Sequence, residues 1–489
     1  MTAAFATEIA VDPMRWSGED IVTATRASTA LPFADLRRCQ FTEVATDSRQ
    51  VASKSIFFAL RGPNHDAHRY VAQALAGGAA AAVVERVPDG VDATSCFVVA
   101  DTLRALGDLA RWSREFVPGL QVVAITGSNG KTTTKEMVAA ICDDATRDAP
   151  GSLIKTAGNQ NNLVGLPLTL LRMNGHESLA ILEMGMNAPG EIARLTEIAR
   201  PNIGVITNVA AAHLEGLGSL DGVAAAKGEL FDGMAGDATI CVNVDDERVA
   251  RAADRFPGIR IEFGRGAEVC AADVADRGVE GISMRLRIGA ASATVALAFA
   301  GVHNVQNALA AAAVGHALGF PLPVIAAGLE AARPAAMRMQ VVPLPSGAVL
   351  INDSYNANPA SVIAGLRALA SSSGRRWAIL GEMRELGEHA ANLHREVGAT
   401  AAQLGIEFLI TVGGQAVEIA RGASGAGGPI AVYECADAAA AAALVGPQLG
   451  SGDTVLIKGS RGPDDDPAVQ AYGSRMAEVV ALLEERARG

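Results

Sequence analysis

The sequence predicts an α/β protein of three domains, and three observations predict it. Short apolar runs that end in polar or Gly-rich turns alternate along the chain with Ala-rich helical stretches, the pattern of parallel sheets covered by helices. The length, 489 residues, exceeds what one hydrophobic core supports. One strand–turn–helix unit, Val122-Val-Ala-Ile-Thr-Gly-Ser-Asn-Gly-Lys-Thr-Thr133, carries a phosphate-binding turn. We expect an N-terminal α/β domain over 1–116, a central phosphate-loop domain with a parallel sheet over 117–335, and a C-terminal Rossmann-like α/β domain over 336–489. Pro118-Gly119 marks the first boundary.

In the first domain, strands are expected at Ser55–Leu60, Ala80–Glu85 and Cys96–Ala100, and helices at Ala67–Ala76 and Thr102–Phe116. In the central domain Val122–Ile125 reads as a buried strand, followed by a helix running through Met137 to Ile141. Leu179–Glu183 and Ile203–Asn208 are strands with polar ends, each followed by a loop rich in Gly, Asn, Pro or His. Open parallel sheets gather ligands at the carboxyl ends of their strands, so Lys131, Glu183, Asn208 and His213 are expected around one crevice. In the last domain, strands are expected at Ala348–Asn352, Trp377–Leu380, Phe408–Val412 and Thr454–Ile457. Gly422–Pro429 reads as a surface loop, and Gly462–Pro467, with three successive Asp, as a solvated turn.

Composition narrows the function. With 49% apolar and 19% charged residues the chain is globular. Its net charge of −12, from 41 Lys and Arg against 53 Asp and Glu, argues against nucleic acid as a partner. Six cysteines without a C-x-x-C pair suit reduced thiols in the cytoplasm rather than zinc or disulfides. Glu8, Asp12 and Arg15 interrupt the N-terminal stretch, so no signal peptide is expected. Asn304–Leu318 is Ala-rich with polar residues and reads as a buried helix, so no membrane insertion is expected.

The central turn carries the clearest chemistry. Gly127 and Gly130 let the backbone bend and present N–H groups to an anion. Ser128, Asn129 and Thr133 complete the loop, Lys131 adds a point charge, and the Thr132 hydroxyl suits a magnesium ion. The common pattern has Gly six residues before the Lys, where this chain has Ile125. Glu183 could share a magnesium ion with Thr132, a cation that favours oxygen ligands; by spacing alone it is equally a capping or surface carboxylate. His213 stands in Ala-Ala-His-Leu-Glu-Gly, and a lone His is more often structural than a ligand. Lys227, on an expected helix, reads by spacing as a surface lysine, and Glu215 and Glu229 are further carboxylates nearby. In the first domain Arg49, beside Ser48, suits a diphosphate, while an Asp47–Arg49 surface pair is an equal reading. The amide-dense run Gly158–Pro167 is either a polar ligand loop or a long turn.

Together, four segments resemble the Mur ligases, the ATP-dependent amino-acid ligases of peptidoglycan synthesis: Thr126–Thr133, Asn208–Glu229, His303-Asn-Val-Gln-Asn-Ala-Leu309 and Asn352-Asp-Ser-Tyr-Asn-Ala-Asn-Pro359. The last of these, with Leu380–Gly387 and Val455–Arg461, resembles the branch that joins D-alanyl-D-alanine to UDP-N-acetylmuramoyl-tripeptide. Asp-Asn-Pro-Arg, typical of the branch that adds the third residue, is absent.

The resemblance implies a cytoplasmic ligase of the EC 6.3.2 class, in cell wall biogenesis and so in cell shape, cell cycle and cell division. It would use ATP and two Mg2+ ions, act as a monomer, and pass through an acyl phosphate. Lys131 and the loop amides would hold phosphates, Thr132 and Glu183 the first magnesium ion, and His213 the second. Lys227 matches a lysine the family carries as a carbamate, which replaces an ammonium by oxygen donors. Asn304 and Asn307 match nucleotide-contacting amides, Arg338 an arginine reaching the ATP phosphates, and Asp353 a ribose contact with Tyr355 and Asn356 beside it. Ser48 and Arg49 match the uridine nucleotide site of the first domain, and Asn162 an amide near the substrate. Two departures stand out: Pro334-Ala-Ala-Met-Arg338 replaces a frequent Pro-Gly-Arg, and 462–472 looks like an insertion. The competing readings are another amide ligase, either folylpolyglutamate synthetase or the third-residue Mur ligase, and a phosphate-loop ATPase acting as a switch.

Overall fold

The apolar run after Pro118-Gly119 folds as the strand Gln121–Thr126, whose residues Val122–Ile125 are buried, and the site is arranged about it. In the structure, a computed structural model that describes residues 14–62, 65–145, 153–462, 466–472 and 474–488, this strand is third in a nine-stranded sheet. The order is 153–155, 179–183, 121–126, 203–206, 239–243, 259–263, 269–276, 282–288, 291–297. The first six pairings are parallel and the last two antiparallel. The chain leaves 121–126 toward one edge of the sheet and leaves 203–206 toward the other. The loops after these two neighbours therefore part over a crevice, where open parallel sheets bind ligands.

The antiparallel extension was not among the sequence expectations, although its signal is local. Ile282, Met284 and Leu286 are buried while Arg285 points to solvent, the alternation of a sheet with one wet face. The helix Lys131–Ala145 starts directly after the phosphate turn and packs against His303–Ala317 and Leu322–Ala331. Eleven consecutive or near-consecutive residues of His303–Ala317 are buried, as Ala and Gly allow close helix contact.

The first domain holds a five-stranded sheet in the order 28–29, 96–98, 81–84, 55–58, 43–45. Its long helix Thr102–Glu115 lies on the central helices Gly165–Leu170 and Glu191–Ala199. Gly107 permits this: a Cβ there would come 2.7 Å from Ile198 Cδ1. One core accordingly runs without a break from Trp16 and Phe58 through Leu106 to Leu166, Ile198 and Phe256.

A six-stranded sheet in the order 340–343, 349–353, 454–458, 376–381, 408–412, 431–435 carries the last part of the chain, parallel except for its first pair. Here one expectation fails. The Gly-rich stretch from 422 is helical as far as Ala426, within the helix Val417–Ala426. Its glycine serves packing: a Cβ on Gly422 would lie 2.0 Å from Arg395 O, and one on Gly398 1.9 Å from Ile419 O, so this helix and the helix Ala390–Gln403 touch backbone to backbone. Residues 463–465 of the expected acidic turn, and Glu8 and Asp12, lie outside the described residues; Pro467–Tyr472 of the insertion is a short helix. All six cysteines are free thiols, and no described helix is long and apolar enough to cross a membrane.

Candidate active site

The phosphate turn is fixed by its neighbours at the crevice. Gly127 has φ +149°, and a Cβ on it would lie 1.8 Å from Thr207 Oγ1; Gly130 has φ +81°, and a Cβ there would lie 2.0 Å from Asn307 Oδ1. Neither position accepts a side chain without displacing a polar partner. Asn129 is held on three sides: its N–H donates to Asn208 Oδ1 at 3.0 Å, and its carbonyl accepts from Thr207 Oγ1 at 2.6 Å and Asn208 Nδ2 at 3.1 Å. Ser128 N–H donates to Asn208 O at 2.9 Å, and its hydroxyl donates to Ala210 O at 3.1 Å. The first turn of the following helix, Lys131 to Thr133, points its N–H groups into the same crevice, and a helix N-terminus favours an anion.

Thr132 and Glu183 meet as expected. The Thr132 hydroxyl donates to Glu183 Oε2 at 2.9 Å, and Glu183 is 1% exposed. Its other oxygen accepts from Asn161 Nδ2 at 2.7 Å, and its N–H donates to Thr156 Oγ1 at 3.0 Å. A hydroxyl beside a buried carboxylate suits a hard cation that fills its shell with phosphate oxygens and water. Among the described residues no group of three or more His, Cys, Asp or Glu forms a metal cluster.

The lysines carry the electrostatics. Lys131 folds back so that Nζ donates to Gly127 O at 2.8 Å. Burial lowers its pKa, Glu183 opposes that shift, and Arg338 adds to it. Lys227 lies on the helix Leu220–Gly233 and is 2% exposed. Burial drives its pKa well below the usual lysine value, and the Lys131 charge pushes the same way. That burial excludes the surface-lysine reading, and no carboxylate pairs with Lys227 among the described residues. A buried ammonium without a counter-charge is unfavourable, whereas a group that converts it to an oxygen anion fits this pocket.

His213 takes a left-handed backbone, φ +56°, at the start of the helix Leu214–Leu217. Its Nδ1 lies 2.6 Å from Glu385 Oε2 of the last sheet's loops, and the imidazole holds the Glu385 carboxyl below its usual pKa. Glu229 instead accepts from Gly190 N at 2.7 Å and Ala193 N at 3.0 Å, capping Glu191–Ala199, which makes it structural.

The last sheet contributes across the seam. Arg338 Nη2 donates to Thr132 Oγ1 at 3.2 Å, and its guanidinium sits 4.0 Å over the Tyr355 ring. Asn358 Nδ2 donates to Asn129 Oδ1 at 2.8 Å. Met337 and Met339, flanking Arg338, have φ +60° and +51°. Asn307 Nδ2 donates to Asn304 Oδ1 at 2.9 Å, and Asn304 Nδ2 to Ala300 O at 2.9 Å, so both amides form a buried brace behind the turn. Asp353 is engaged inside its own sheet: Lys458 Nζ lies 2.5 Å from Oδ2, and Met339 N–H donates to Oδ1 at 3.1 Å. Asn356 offers its carbonyl to the same Lys458, at 2.9 Å.

Of the expected substrate residues, Ser48 and Arg49 lie in a separate cleft, while Asn162 stands beside the Glu183 end of the site. Ser48 and Arg49 line a cleft of about 480 Å³ with Thr46, Phe57, His65 and Tyr70. Arg49 is paired with Asp47, Nη2 to Oδ2 at 2.7 Å, which pulls the Asp47 carboxyl down to about 2. Asn162 Oδ1 accepts from Val164 N at 3.1 Å and Gly165 N at 2.9 Å, so its carbonyl side is used to start a helix. Its neighbour Asn161 is the amide that touches the Glu183 carboxylate, which the sequence alone did not single out. Asn358, Glu385 and Lys458 were likewise missed, and only their positions within the segments 352–359, 380–387 and 455–461 pointed to them.

Comparison with known proteins agrees with this geometry. Residues 125–315 match the Mur ligase middle domain, and residues 337–461 match the family described as Mur ligase, glutamate ligase domain. The UDP-N-acetylmuramoyl-tripeptide--D-alanyl-D-alanine ligase of Escherichia coli (strain K12) is 37% identical over 446 residues, covering 90% of this chain and 93% of that one. A crystal structure of MurF from Acinetobacter baumannii superposes with a TM-score of 0.86 at 32% identity, over 98% of this chain and all of the other. MurF from Thermotoga maritima in complex with ADP superposes with a TM-score of 0.79 at 26% identity, over 91% and 98% of the two chains. A phosphate turn at the sheet's crevice, an acid–hydroxyl pair beside it and an arginine from the last sheet thus occur in a chain that belongs to the Mur ligase family, within the UDP-N-acetylmuramoyl-tripeptide–D-alanyl-D-alanine ligases.

Proposed function

We propose that this protein joins D-alanyl-D-alanine to UDP-N-acetylmuramoyl-tripeptide at the expense of ATP, giving the pentapeptide precursor of peptidoglycan, and that it works as a cytoplasmic monomer. The domain limits 1–116, 117–335 and 336–489 belong to the same reading. One observation carries it: the phosphate turn is completed from the loops of the last domain, by Arg338 on Thr132 and Asn358 on Asn129. A site assembled across a seam excludes water from a hydrolysable intermediate, which a ligase needs and a simple switch does not. The separate cleft at Ser48 and Arg49 supports a large nucleotide substrate over a folate.

The chemistry follows from the groups present. A carboxylate oxygen of the tripeptide attacks the γ-phosphorus, ADP leaves, and the acyl phosphate forms. The dipeptide amine then attacks the acyl carbon, loses its proton, and phosphate departs. Two anions must approach in the first step. Lys131 and the N–H groups of 127–133 oppose their repulsion, and Arg338 adds charge from the other wall. Thr132 and Glu183 would hold one Mg2+, His213 and Lys227 as a carbamate a second, and the ions would neutralise phosphate oxygens. Lys227 fits that role because it is buried and unpaired. Asn304 and Asn307 support the turn from behind, and Tyr355, Asn356 and Asp353 flank the nucleoside. Both Asp353 oxygens are already engaged, Oδ2 by Lys458 and Oδ1 by the Met339 N–H, so a ribose hydroxyl would share one of them through its second lone pair. The lone-substrate test is phosphate release from ATP and Mg2+ with each substrate alone and then both. Release that requires both, with a product heavier by one dipeptide less one water, supports the ligase; release unaffected by either substrate favours the ATPase switch.

A further inference from the structure

The loop Glu382–Glu385, which follows the strand Arg376–Gly381, is built with more restraint than a connection needs. Met383 N–H donates to His394 Nε2 at 2.8 Å, and His394 Nδ1 is fixed in turn by Ala390 O at 2.7 Å. Arg384 N–H donates to Ser460 Oγ at 3.0 Å, and Ser460 N–H donates back to Glu382 O at 2.9 Å. The restraint ends at Glu385, which takes φ +62°. A bulky residue holds that conformation only when its surroundings impose it, and such strain collects at functional positions.

Glu385 faces the central domain with both backbone and side chain. Its carbonyl accepts from Glu215 N–H at 3.2 Å, and its carboxylate meets His213 Nδ1 at 2.6 Å. Gly387, at φ +55°, brings the chain against the same segment: a Cβ there would stand in ordinary contact with Glu215, 3.7 Å from its Cα. The His213–Glu385 contact is short but out of line for an ideal hydrogen bond, as is common for active-site pairs before ligands seat. A carboxylate on Nδ1 fixes the ring's orientation and tautomer and leaves Nε2 for a cation, the usual support of a metal-binding histidine.

We propose that Glu385 is a positioning residue that orients His213 across the seam, so that the His213 side of the cation site is organised only when the last domain is docked. The idea rests on the ligase reading for the reaction it serves, but not for its measurement. The measurement is Mn2+ binding by electron paramagnetic resonance in the presence of a non-hydrolysable ATP analogue. The parent and the variants Glu385→Gln, Glu385→Asp, His213→Ala and Glu385→Gln/His213→Ala are compared, with small-angle scattering on the same samples. Two classes of bound Mn2+ are expected in the parent. Glu385→Gln weakens one class by about ten- to one-hundred-fold, Glu385→Asp restores part of it, and His213→Ala removes it. The double variant binds no worse than His213→Ala, because Glu385 acts through the imidazole. The proposal is overturned by unchanged Mn2+ affinity in Glu385→Gln, by a single class in the parent, or by effects that multiply in the double variant. It is also overturned if Mn2+ binding weakens in Glu385→Gln only together with an opening of the molecule in scattering, because the carboxylate would then hold the walls together rather than orient the ring. Phosphate release with both substrates, run beside this on the parent, separates a failure of the ligase reading from a failure of the Glu385 assignment.

Discussion

Gly130→Ala tests the phosphate turn at its tightest point. Two costs follow from the structure. At φ +81° an L-residue is disfavoured by about 1–2 kcal/mol. The new Cβ would stand 2.0 Å from Asn307 Oδ1, and relieving such an overlap in a packed region costs about 1–3 kcal/mol. Asn307 cannot yield cheaply, because its amide braces Asn304 at 2.9 Å. The binding-competent turn is thus raised by about 2–5 kcal/mol, a loss of ATP affinity of about thirty- to four-thousand-fold. Calorimetric titration with a non-hydrolysable ATP analogue and Mg2+ measures it. Gly319→Ala is the control: the same φ of +81° with nothing within 4 Å of the added Cβ, far from the turn, so its affinity stays at the parent value. Binding by Gly130→Ala within about threefold of the parent would refute the argument that φ and the Asn307 contact together define the turn.

Three further outcomes are expected. Lys131→Ala lowers phosphate release in the presence of both substrates by about a hundred-fold or more, as removal of a transition-state donor does; near-normal turnover removes Lys131 from the phosphate site. Lys458→Met leaves the buried Asp353 carboxylate without its partner and destabilises the last sheet by about 3–5 kcal/mol. That loss is read as a lower denaturant midpoint from Trp377 fluorescence, in a chain whose Trp16 and Trp112 are Phe; an unchanged midpoint means Asp353 finds another cation. The Asp47 carboxyl, held at about 2 by Arg49 against an ordinary 3.8, makes its contribution above the ordinary value and loses it as pH falls through about 2. Arg49→Ala moves the carbon-13 titration midpoint of Asp47 up toward 3.8; a midpoint that stays low assigns the shift to the backbone N–H groups of the turn.

What the sequence made legible is what depends on neighbours in the chain. The strand, turn and helix of 121–145 could be read because Gly127, Gly130, Lys131 and Thr132 act within one short segment. Glu183 was within reach because strand ends in a parallel sheet converge. Pairings over long sequence distances were out of reach. Lys458 with Asp353 and Glu385 with His213 join separate sheets or strands, and nothing local marks them. Arg49 shows the opposite case, in which the local Asp47 pair prevailed over a free guanidinium. Gly422 misled because a glycine that admits a neighbouring helix looks, in sequence, like one that breaks a helix. Lys227 needed the family resemblance, since burial of a lysine on a helix of low amphipathicity leaves little trace in the pattern.

Arg338 reaches Thr132 from between two methionines in left-handed backbone, and Met337 stands where the family often has the Gly of Pro-Gly-Arg. Each such residue costs about 1–2 kcal/mol, so about 2–4 kcal/mol of strain is stored in this short loop. That is comparable to the net gain from two or three hydrogen bonds. The strain is held from inside the last part of the chain: Met337 N–H donates to Gln340 Oε1 at 3.2 Å, Tyr355 N–H donates to Met337 O at 3.2 Å, and Met339 N–H donates to Asp353 Oδ1 at 3.1 Å. Arg338 is thus presented to Thr132 on a backbone already set, with little ordering entropy left to lose when the two walls meet.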